Sequence, residues 1–223
     1  MTIYQQVPET AFWNDPKITE YFSQKPPDPL IVERLLRIPS PQTKMLLDLG
    51  CGTGRNAIAA VAIGFIVHMC DPSPAMVEAT RKNIAARHGS VSQRLVYGVM
   101  TSLPYRSCLF DAIVACGVLH QASSLGEYHL AIGEISRVSR QGCVVTLNIF
   151  TDKIIDSRLV SVHGEPYSFI TAEKLPMTLL PKKVFYHLMN QYSFWLERET
   201  CEEIKVENTG PRAVLRATFV KAK

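Results

Sequence analysis

Three glycines between an apolar strand and an apolar helix limit most strongly what this chain can fold into. Residues 45–49 read as a short buried strand, Gly50, Gly52 and Gly54 follow at two-residue spacing, and residues 53–63 read as a helix. Glycine lets the backbone adopt positive φ and approach a ligand closely. A glycine-rich turn from strand to helix therefore predicts the floor of a nucleotide site.

Two residues beside this turn limit which ligands it can bind. The dinucleotide fingerprint requires a glycine one position after Gly54, but Arg55 occupies that position. This departure weakens the case for NAD or FAD. Asp48, directly before the glycines, suits a ligand that carries a positive amino group, whereas it would repel a pyrophosphate.

Strand and helix patterns alternate along much of the chain. Further buried strands are predicted at residues 65–70, 94–98, 110–116 and 143–150. Repeated βα units with short connections imply right-handed crossovers and a sheet covered on both faces. Near the end, residues 192–199 and 214–220 are β-rich and are joined through a turn signal at 208–211. The predicted fold is α/β: a Rossmann-like, doubly wound, mostly parallel sheet of about seven strands with an antiparallel C-terminal strand.

Composition argues against several classes of protein. Apolar residues make up 47% of the 223 residues, which fits one folded domain and argues against disorder. The formal charge of +4 is spread along the chain, so it does not by itself call for nucleic acid. No apolar run approaches the ~18 to 20 residues of a membrane span, and residues 1–10 lack a secretory pattern. The six cysteines are scattered without a Cys-x-x-Cys pair, which predicts a reduced, cytoplasmic protein without a metal site.

The sequence Leu-Asp-Leu-Gly-Cys-Gly-Thr-Gly at residues 47–54 resembles motif I of the class I S-adenosylmethionine-dependent methyltransferases. The resemblance continues in the order and spacing of that family over residues 65–76, 110–114, 118–120 and 135–138, roughly half of the chain in all. It implies that S-adenosylmethionine is the cofactor and S-adenosylhomocysteine the product. It also implies a single domain over residues 1–223, with an N-terminal arm and helix (1–43), a cofactor-binding core (44–150), a substrate-cap insertion (151–191) and a C-terminal strand pair (192–223).

The resemblance assigns roles around the glycine turn. It places Gly50, Gly52 and Gly54 beneath the methionine part of the cofactor and lets Asp48 orient its amino group. It makes Asp71 the acceptor for both ribose hydroxyls, and an acid about one βα unit beyond a glycine turn is also the ribose-binding residue of Rossmann-like sites. The alternatives are that Asp71 caps the next helix and that Asp48 is a buried acid bonded to loop amides.

The remaining cofactor contacts implied by the resemblance are Cys51, Pro72, Met76, Met100, Thr101, Ser102, Ala115 and Cys116. One departure from the family concerns the adenine. Members often carry an acid where this chain has Val99, which cannot accept a hydrogen bond. Because buried polar groups rarely stay unpaired, we expect the backbone N–H of Met100 and a hydroxyl of Thr101 or Ser102 to serve the adenine instead, with water as the fallback.

The methyl acceptor is less constrained than the cofactor. His120 follows the fourth strand near the expected methyl position and is the candidate catalytic residue, although the same histidine also serves as packing in this family. Markers of nucleic-acid methylation are absent, and small details are similar to tellurite-resistance and thiopurine-type methyltransferases. We therefore expect a small-molecule acceptor, such as a thiol or another soft heteroatom, which needs no strong base. The alternatives are an RNA or protein acceptor, and a cofactor-binding protein without catalysis.

Two segments outside the core motifs are expected to form the acceptor pocket. One is the aromatic arm at residues 12–22, predicted to have little regular structure and to close as a lid. The other is the insertion at 151–191, since active sites of open α/β sheets lie at the carboxyl ends of the strands. Its candidate contacts are His163, Tyr167, Phe169, Phe185, Tyr186 and His187. No membrane or nucleic-acid partner is expected, and the protein is predicted to be a monomer or a homodimer.

Overall fold

The computed structural model describes residues 10–88, 94–199, 202–207 and 210–222. Its α-helices there are α1 (Thr10–Trp13), α2 (Pro16–Gln24), α3 (Pro29–Leu36), α4 (Arg55–Ile63), α5 (Pro74–His88), α6 (Leu125–Val138) and α7 (Lys182–Gln191). Its strands are β1 (Met45–Leu49), β2 (Ile66–Asp71), β3 (Arg94–Tyr97), β4 (Phe110–Cys116), β5 (Ser139–Thr151), β6 (Val160–Ser161), β7 (Ser168–Ile170), β8 (Pro176–Thr178), β9 (Phe194–Glu199), β10 (Glu203–Glu207) and β11 (Gly210–Lys221).

Local capping fixes where several helices begin and end. Helix α3 begins after Asp28, whose carboxylate accepts the backbone N–H of Leu30 at 3.0 Å. Helix α6 begins after Ser124, whose hydroxyl accepts the N–H of Glu127 at 3.1 Å. Helix α4 ends at Gly64, which adopts a φ of 111°. These short-range signals position the ends of the elements that surround the sheet edge.

The main sheet confirms the predicted fold class. Its strand order is β10-β11-β5-β4-β1-β2-β3, and β9 also pairs with β11, so eight strands take part. Strands β1 to β5 pair in parallel, whereas β11 runs antiparallel to β5, β9 and β10. The carboxyl ends of β1, β2 and β4 therefore meet at one edge of the sheet, where ligands bind in this type of fold.

Helices cover both faces of the sheet. On one face, Leu47 and neighbouring strand residues form a core with α6 and α7. On the other face, Leu46 belongs to a core with α3 and α4. This alternation along β1 is the pattern expected for a strand buried on both sides. Within the described residues, no helix is both long and apolar enough to cross a membrane.

Two expectations about the ends of the chain are wrong in part. The arm is not irregular, because residues 10–24 form α1 and α2, and Asp15 caps α2 through the N–H of Lys17 at 2.8 Å. At the other end, the turn signal joins β10 to β11 and does not follow β9. The intervening strand β10 was missed although its sequence, Glu-Ile-Lys-Val-Glu, alternates polar and apolar residues as a strand does. Residues 208 and 209 of the turn lie outside the described residues.

The segment expected to form a substrate cap divides into two parts. Strands β6, β7 and β8 form a small separate antiparallel sheet. Helix α7 instead belongs to the main core, because Phe185, Leu188 and Met189 are buried against it. Helix α7 is therefore part of the main core, and a substrate cap stays a prediction for the residues before it. The sequence could not separate these parts, since a core helix and a cap helix show the same apolar periodicity.

Candidate active site

The glycine turn crosses the sheet edge between β1 and α4. The backbone N–H groups of Gly50 and Cys51 both donate to the carbonyl of Cys70 in β2, at 2.8 and 3.1 Å. Gly50 adopts a φ of 61°, and a β-carbon there would lie 2.4 Å from Cγ2 of Val118. Only glycine fits both the conformation and the space at this position. The turn is thus held close to the ends of β2 and β4.

Asp71, the last residue of β2, binds this turn directly. Its Oδ2 accepts the N–H of Gly52 at 2.8 Å, and its Oδ1 accepts the N–H of Ser73 at 2.9 Å. Burial raises the pKa of Asp71, while these two backbone hydrogen bonds oppose the increase. The Ser73 contact is a turn bond and not the capping role weighed as the alternative, because Ser73 itself caps α5 by accepting the N–H of Met76 at 3.2 Å. Both backbone bonds of Asp71 are compatible with ribose binding, since each carboxylate oxygen has a second lone pair.

Asp48 lies beneath the turn, and one of its carboxylate oxygens accepts no hydrogen bond from the described residues. It is buried, and its Oδ2 has no hydrogen-bond partner among the residues that the structure describes. Burial raises the pKa of Asp48 to about 7, although the charge of Arg55 acts in the opposite direction. An unpaired buried carboxylate oxygen is costly and is rare in folded proteins. This position fits a ligand that brings a positively charged donor.

Three residues that were not predicted as site residues complete this part of the edge. The Thr80 hydroxyl donates to the carbonyl of Gly52 at 2.6 Å and so fixes the turn from α5. Arg55 donates to Sγ of Cys116 at 3.3 Å, and Asn148 donates to the same sulfur at 2.9 Å. Only Arg55 had a signal in the sequence, as the residue that breaks the dinucleotide fingerprint.

The predicted adenine loop follows β3 and contacts the backbone of Asp71. The N–H of Gly98 donates to the carbonyl of Asp71 at 3.4 Å, and the N–H of Ser102 donates to the carbonyl of Val99 at 3.1 Å. Val99 is 48% exposed, so its side chain lies at a rim and not in the core. Met100 and Thr101 are half-buried beside it. Their predicted hydrogen bonds to adenine stay predictions.

The other predicted cofactor contacts near this edge differ in their exposure to solvent. Pro72 is exposed beside Asp71, and Gly54 directly precedes α4. Met76 is 2% exposed, with its N–H bonded to the Ser73 hydroxyl at 3.2 Å. Ala115 is fully buried in the core, so any contact from it would come from its backbone.

His120 is enclosed and held by the backbone. It is 3% exposed, its Nδ1 accepts the N–H of Phe150 at 3.2 Å, and the two rings stack with centroids 3.9 Å apart. Burial, followed by the charge of Arg212, lowers the pKa of His120 to about 3. Such a neutral imidazole is a weak base near neutral pH. This geometry favours the packing alternative over the predicted catalytic role.

The predicted acceptor contacts do not form one surface. Phe185 is fully buried beside Phe219, with ring centroids 5.7 Å apart, and therefore belongs to the core. Phe169 packs in a small cluster with Met177 and Leu179 beneath the separate sheet. The remaining candidates are half-buried or exposed, namely His163, Tyr167, Tyr186 and His187.

The N-terminal arm is fastened beside Asp71. The hydroxyl of Ser73 donates to the carbonyl of Trp13 at 3.1 Å and to Oδ1 of Asn14 at 2.8 Å. The N–H of Ala75, in the first turn of α5, also donates to Oδ1 of Asn14 at 3.3 Å. The arm thus lies against the start of α5, which Ser73 caps, and this is where a lid over the cofactor edge would be anchored.

The sheet order, the glycine turn and the acid at the end of β2 resemble those of class I S-adenosylmethionine-dependent methyltransferase domains. Residues 46–142 match the model of a family described as a methyltransferase domain. The structure of an S-adenosylmethionine-dependent methyltransferase from Methanosarcina mazei superposes with a TM-score of 0.71 at 17% identity, over 89% of this chain and 99% of that one. At this low identity, the superposition shows a shared fold and nothing more.

Two further proteins are similar to this chain. The 1,6-didemethyltoxoflavin-N1-methyltransferase of Burkholderia thailandensis, solved with S-adenosylhomocysteine, has a TM-score of 0.63 at 17% identity, over 88% of this chain and 80% of that one. The tRNA (carboxymethyluridine(34)-5-O)-methyltransferase of Arabidopsis thaliana is 28% identical over 54% of this chain and 28% of its own length. The chain spans less than two thirds of the curated relatives that it matches. S-adenosylmethionine is the cofactor of this class.

Proposed function

We propose that this protein transfers a methyl group from S-adenosylmethionine to a small-molecule acceptor. The observation that carries the proposal is the pair of buried acids at the glycine turn. Asp71 already binds the N–H of Gly52, and Asp48 keeps an unpartnered oxygen beneath the same turn. The two acids suit the ribose hydroxyls and the ammonium group of this cofactor respectively.

The backbone at Gly52 supports the same ligand. Gly52 has a φ of 56°, and no described atom lies within 4 Å of the place where a β-carbon would stand. The space above the turn is therefore open for a ligand to approach the backbone closely. When bound, the cofactor supplies a methyl group on a positively charged sulfur, ready for in-line displacement. The task of this chain is to hold both reactants in line and to exclude water.

His120, the predicted catalytic residue, supplies no general base. It is 3% exposed and stacked on Phe150, and its pKa of about 3 keeps the imidazole neutral at neutral pH. Without a base from this residue, an acceptor must supply its own reactive lone pair. Thiols, other soft heteroatoms and carboxylates that are already ionised meet this condition, whereas alcohols usually require a base or a metal.

A second candidate is an RNA acceptor. The Arabidopsis relative is named for methylation of an oxygen of carboxymethyluridine in tRNA. A carboxymethyl group is ionised at neutral pH and needs no general base, so this chemistry is also compatible with a neutral His120. The match covers only 54% of this chain. The acceptor named for the Arabidopsis protein is therefore carried over to this chain only as a proposal.

A product assay separates the two candidates. Purified protein is incubated with S-adenosylmethionine, and S-adenosylhomocysteine is measured over panels of thiols, amines, phenols and small carboxylic acids. Parallel reactions contain bulk tRNA and tRNA that carries carboxymethyluridine. We expect turnover with a small nucleophilic acceptor. Turnover confined to the modified tRNA would replace the small-molecule proposal with the RNA one, and no turnover in any reaction would contradict both.

A further inference from the structure

A cavity of about 200 Å³, the α4–α5 cavity, lies between these two helices and the connection from α2 to α3. Its walls come from residues 23–27, from the start of α4, and from Asn83 and Arg87 in the second half of α5. Neither acid of the glycine turn, Asp48 or Asp71, lines it. The cavity is therefore separate from the edge of the sheet at which the cofactor is expected.

Hydrogen bonds between distant parts of the chain hold these walls together. The side-chain amide of Asn83 donates to the carbonyl of Thr53 at 2.9 Å and to the hydroxyl of Ser23 at 3.3 Å. From α4, Nη1 of Arg55 donates to the carbonyl of Pro26 at 3.0 Å. The volume of the cavity far exceeds the about 15 Å³ that one water molecule requires. The α4–α5 cavity is thus a formed space that can hold a small ligand group.

The charged residues that line the cavity are all positive in the described part of the chain, namely Lys25, Arg55 and Arg87. Arg87 is exposed, and its Nη1 donates to the carbonyl of Asn83 at 3.3 Å. No carboxylate oxygen among the described residues lies within 4.0 Å of Arg55 or Arg87. The single acid of α5, Glu78, pairs instead with two cations of its own helix at 3.4 and 3.6 Å. The two guanidinium groups therefore retain the capacity to bind an anion.

The donors around the cavity match the oxygens of a phosphate group. A guanidinium binds phosphate through paired N–H donors, and the ammonium of Lys25 adds a compact positive charge. The Ser23 hydroxyl accepts the amide of Asn83 and can still donate its own proton. These donors come from three separate elements, and the tetrahedral oxygens of a phosphate accept from several directions, whereas those of a carboxylate lie in one plane. The lining thus favours phosphate over a carboxylate, a cation or an apolar group.

We propose that the α4–α5 cavity binds a phosphate group, held by Arg87, Lys25 and the Ser23 hydroxyl, with Arg55 adding positive charge from α4. The inference goes beyond the proposed function, because the cavity lies apart from the cofactor edge and can be tested without the cofactor. The phosphate can belong to a small phosphorylated compound or to the backbone of an RNA. Both present the same oxygens, so the test compares ligands of the two kinds.

Titration of the full chain with inorganic phosphate, at an ionic strength held constant with chloride, tests the site by nuclear magnetic resonance. We expect the side-chain Nε–Hε signal of Arg87 to shift saturably in the millimolar range. The signal of Arg106, an exposed arginine between β3 and β4, should not shift. Arg87→Met should weaken phosphate binding about tenfold, and Arg106→Met is the matched control that should leave it unchanged. Arg87→Lys keeps the charge without the fork and should weaken binding less.

Uridine 5′-monophosphate and bulk tRNA distinguish the two sources of the phosphate. A site for small phosphorylated compounds should bind the mononucleotide, while any binding of tRNA should be the same in wild type and Arg87→Met. A site for RNA should bind tRNA far more tightly than inorganic phosphate, and Arg87→Met should weaken it whereas Arg106→Met should not. Either pattern supports the site and assigns its ligand.

Two results would overturn the inference. One is a signal of Arg87 that does not shift saturably with phosphate, and the other is an equal effect of Arg87→Met and Arg106→Met on phosphate binding. The proposed function is tested separately, because Arg87→Met should bind S-adenosylhomocysteine as tightly as wild type. Wild-type protein that binds phosphate at Arg87 but does not bind S-adenosylhomocysteine would refute the proposed function and support this site.

Discussion

The carboxylate of Asp71 accepts the N–H of Gly52 at 2.8 Å and thereby joins the end of β2 to the turn that follows β1. Its second oxygen accepts the N–H of Ser73, the residue before α5, at 2.9 Å. One side chain thus organises three elements around the proposed ribose position. Removing it should therefore affect both the order of the turn and the binding of the cofactor at the proposed site.

Asp71→Ala should weaken S-adenosylmethionine binding about ten- to a hundredfold, because hydrogen bonds to a charged acceptor contribute roughly 1.5 to 3 kcal/mol. The variant should also lose stability, since two backbone donors lose their acceptor. Asp71→Asn keeps one carbonyl acceptor and should preserve most of the stability while still weakening binding. Calorimetry and thermal melting measure the two effects. Unchanged affinity in folded Asp71→Ala would exclude Asp71 from the site.

Asp48 provides a prediction about pH. Its pKa is raised by burial from 3.8 to about 7. The contribution of Asp48 to the free energy of unfolding is therefore fully present below pH 3.8 and is lost as the pH rises through 7. The shift corresponds to a free energy on the order of 4 kcal/mol. Asp48→Asn removes the titration, so its stability relative to wild type should increase between pH 4 and pH 7.5, while its affinity for S-adenosylmethionine should fall.

Denaturant unfolding at pH 4, 5.5 and 7.5 tests the Asp48 prediction. Glu78→Gln, at an exposed acid of α5, is the control and should differ from wild type by only a few tenths of a kcal/mol. A difference between Asp48→Asn and wild type that stays constant with pH would contradict the buried-acid account. If Asp48→Asn is more stable than wild type but binds the cofactor less tightly, Asp48 is kept for binding at the expense of stability.

His120 should behave as a structural residue. Its pKa is lowered to about 3, so its contribution to stability is present above pH 6.5 and is lost as the pH falls towards 3. His120→Gln keeps an acceptor for the N–H of Phe150 and cannot titrate. We expect it to lose less stability than wild type on acidification and to retain turnover within a few-fold. Loss of turnover in the folded variant, with normal activity in exposed His163→Gln, would restore the catalytic role.

Val99 tests the alignment of the adenine loop. Because its side chain is 48% exposed, Val99→Asp should fold normally, and the new carboxylate should accept the adenine amino group and tighten cofactor binding several-fold. Val160→Asp, at a residue that is 66% exposed in the small sheet, serves as the control and should leave affinity unchanged. A clear loss of affinity in folded Val99→Asp would mean that Val99 packs against the ring.

Short-range signals made the cofactor edge predictable from the sequence. The Asp28 cap, the glycine turn and the acid at the end of β2 each depend on residues a few positions apart, and each is found where it was expected. Such signals act through local backbone geometry, so they survive changes in the rest of the fold.

Contacts made only by the assembled sheet were not predictable in this way. Arg55 and Cys116 lie 61 positions apart, and Asn148 and Cys116 lie 32 positions apart. They meet because β4 and β5 pair in a particular register beneath the start of α4. The burial of Phe185 is also a tertiary result, since the periodicity of α7 does not reveal what its apolar face contacts.

Titration calorimetry of the wild-type chain with S-adenosylmethionine is the most direct test of the central claim, that the glycine turn and its two acids form the site of this cofactor. We predict saturable binding of one cofactor per chain, with Asp71→Ala about ten- to a hundredfold weaker under the same conditions. Absence of binding by folded wild-type protein would contradict the claim.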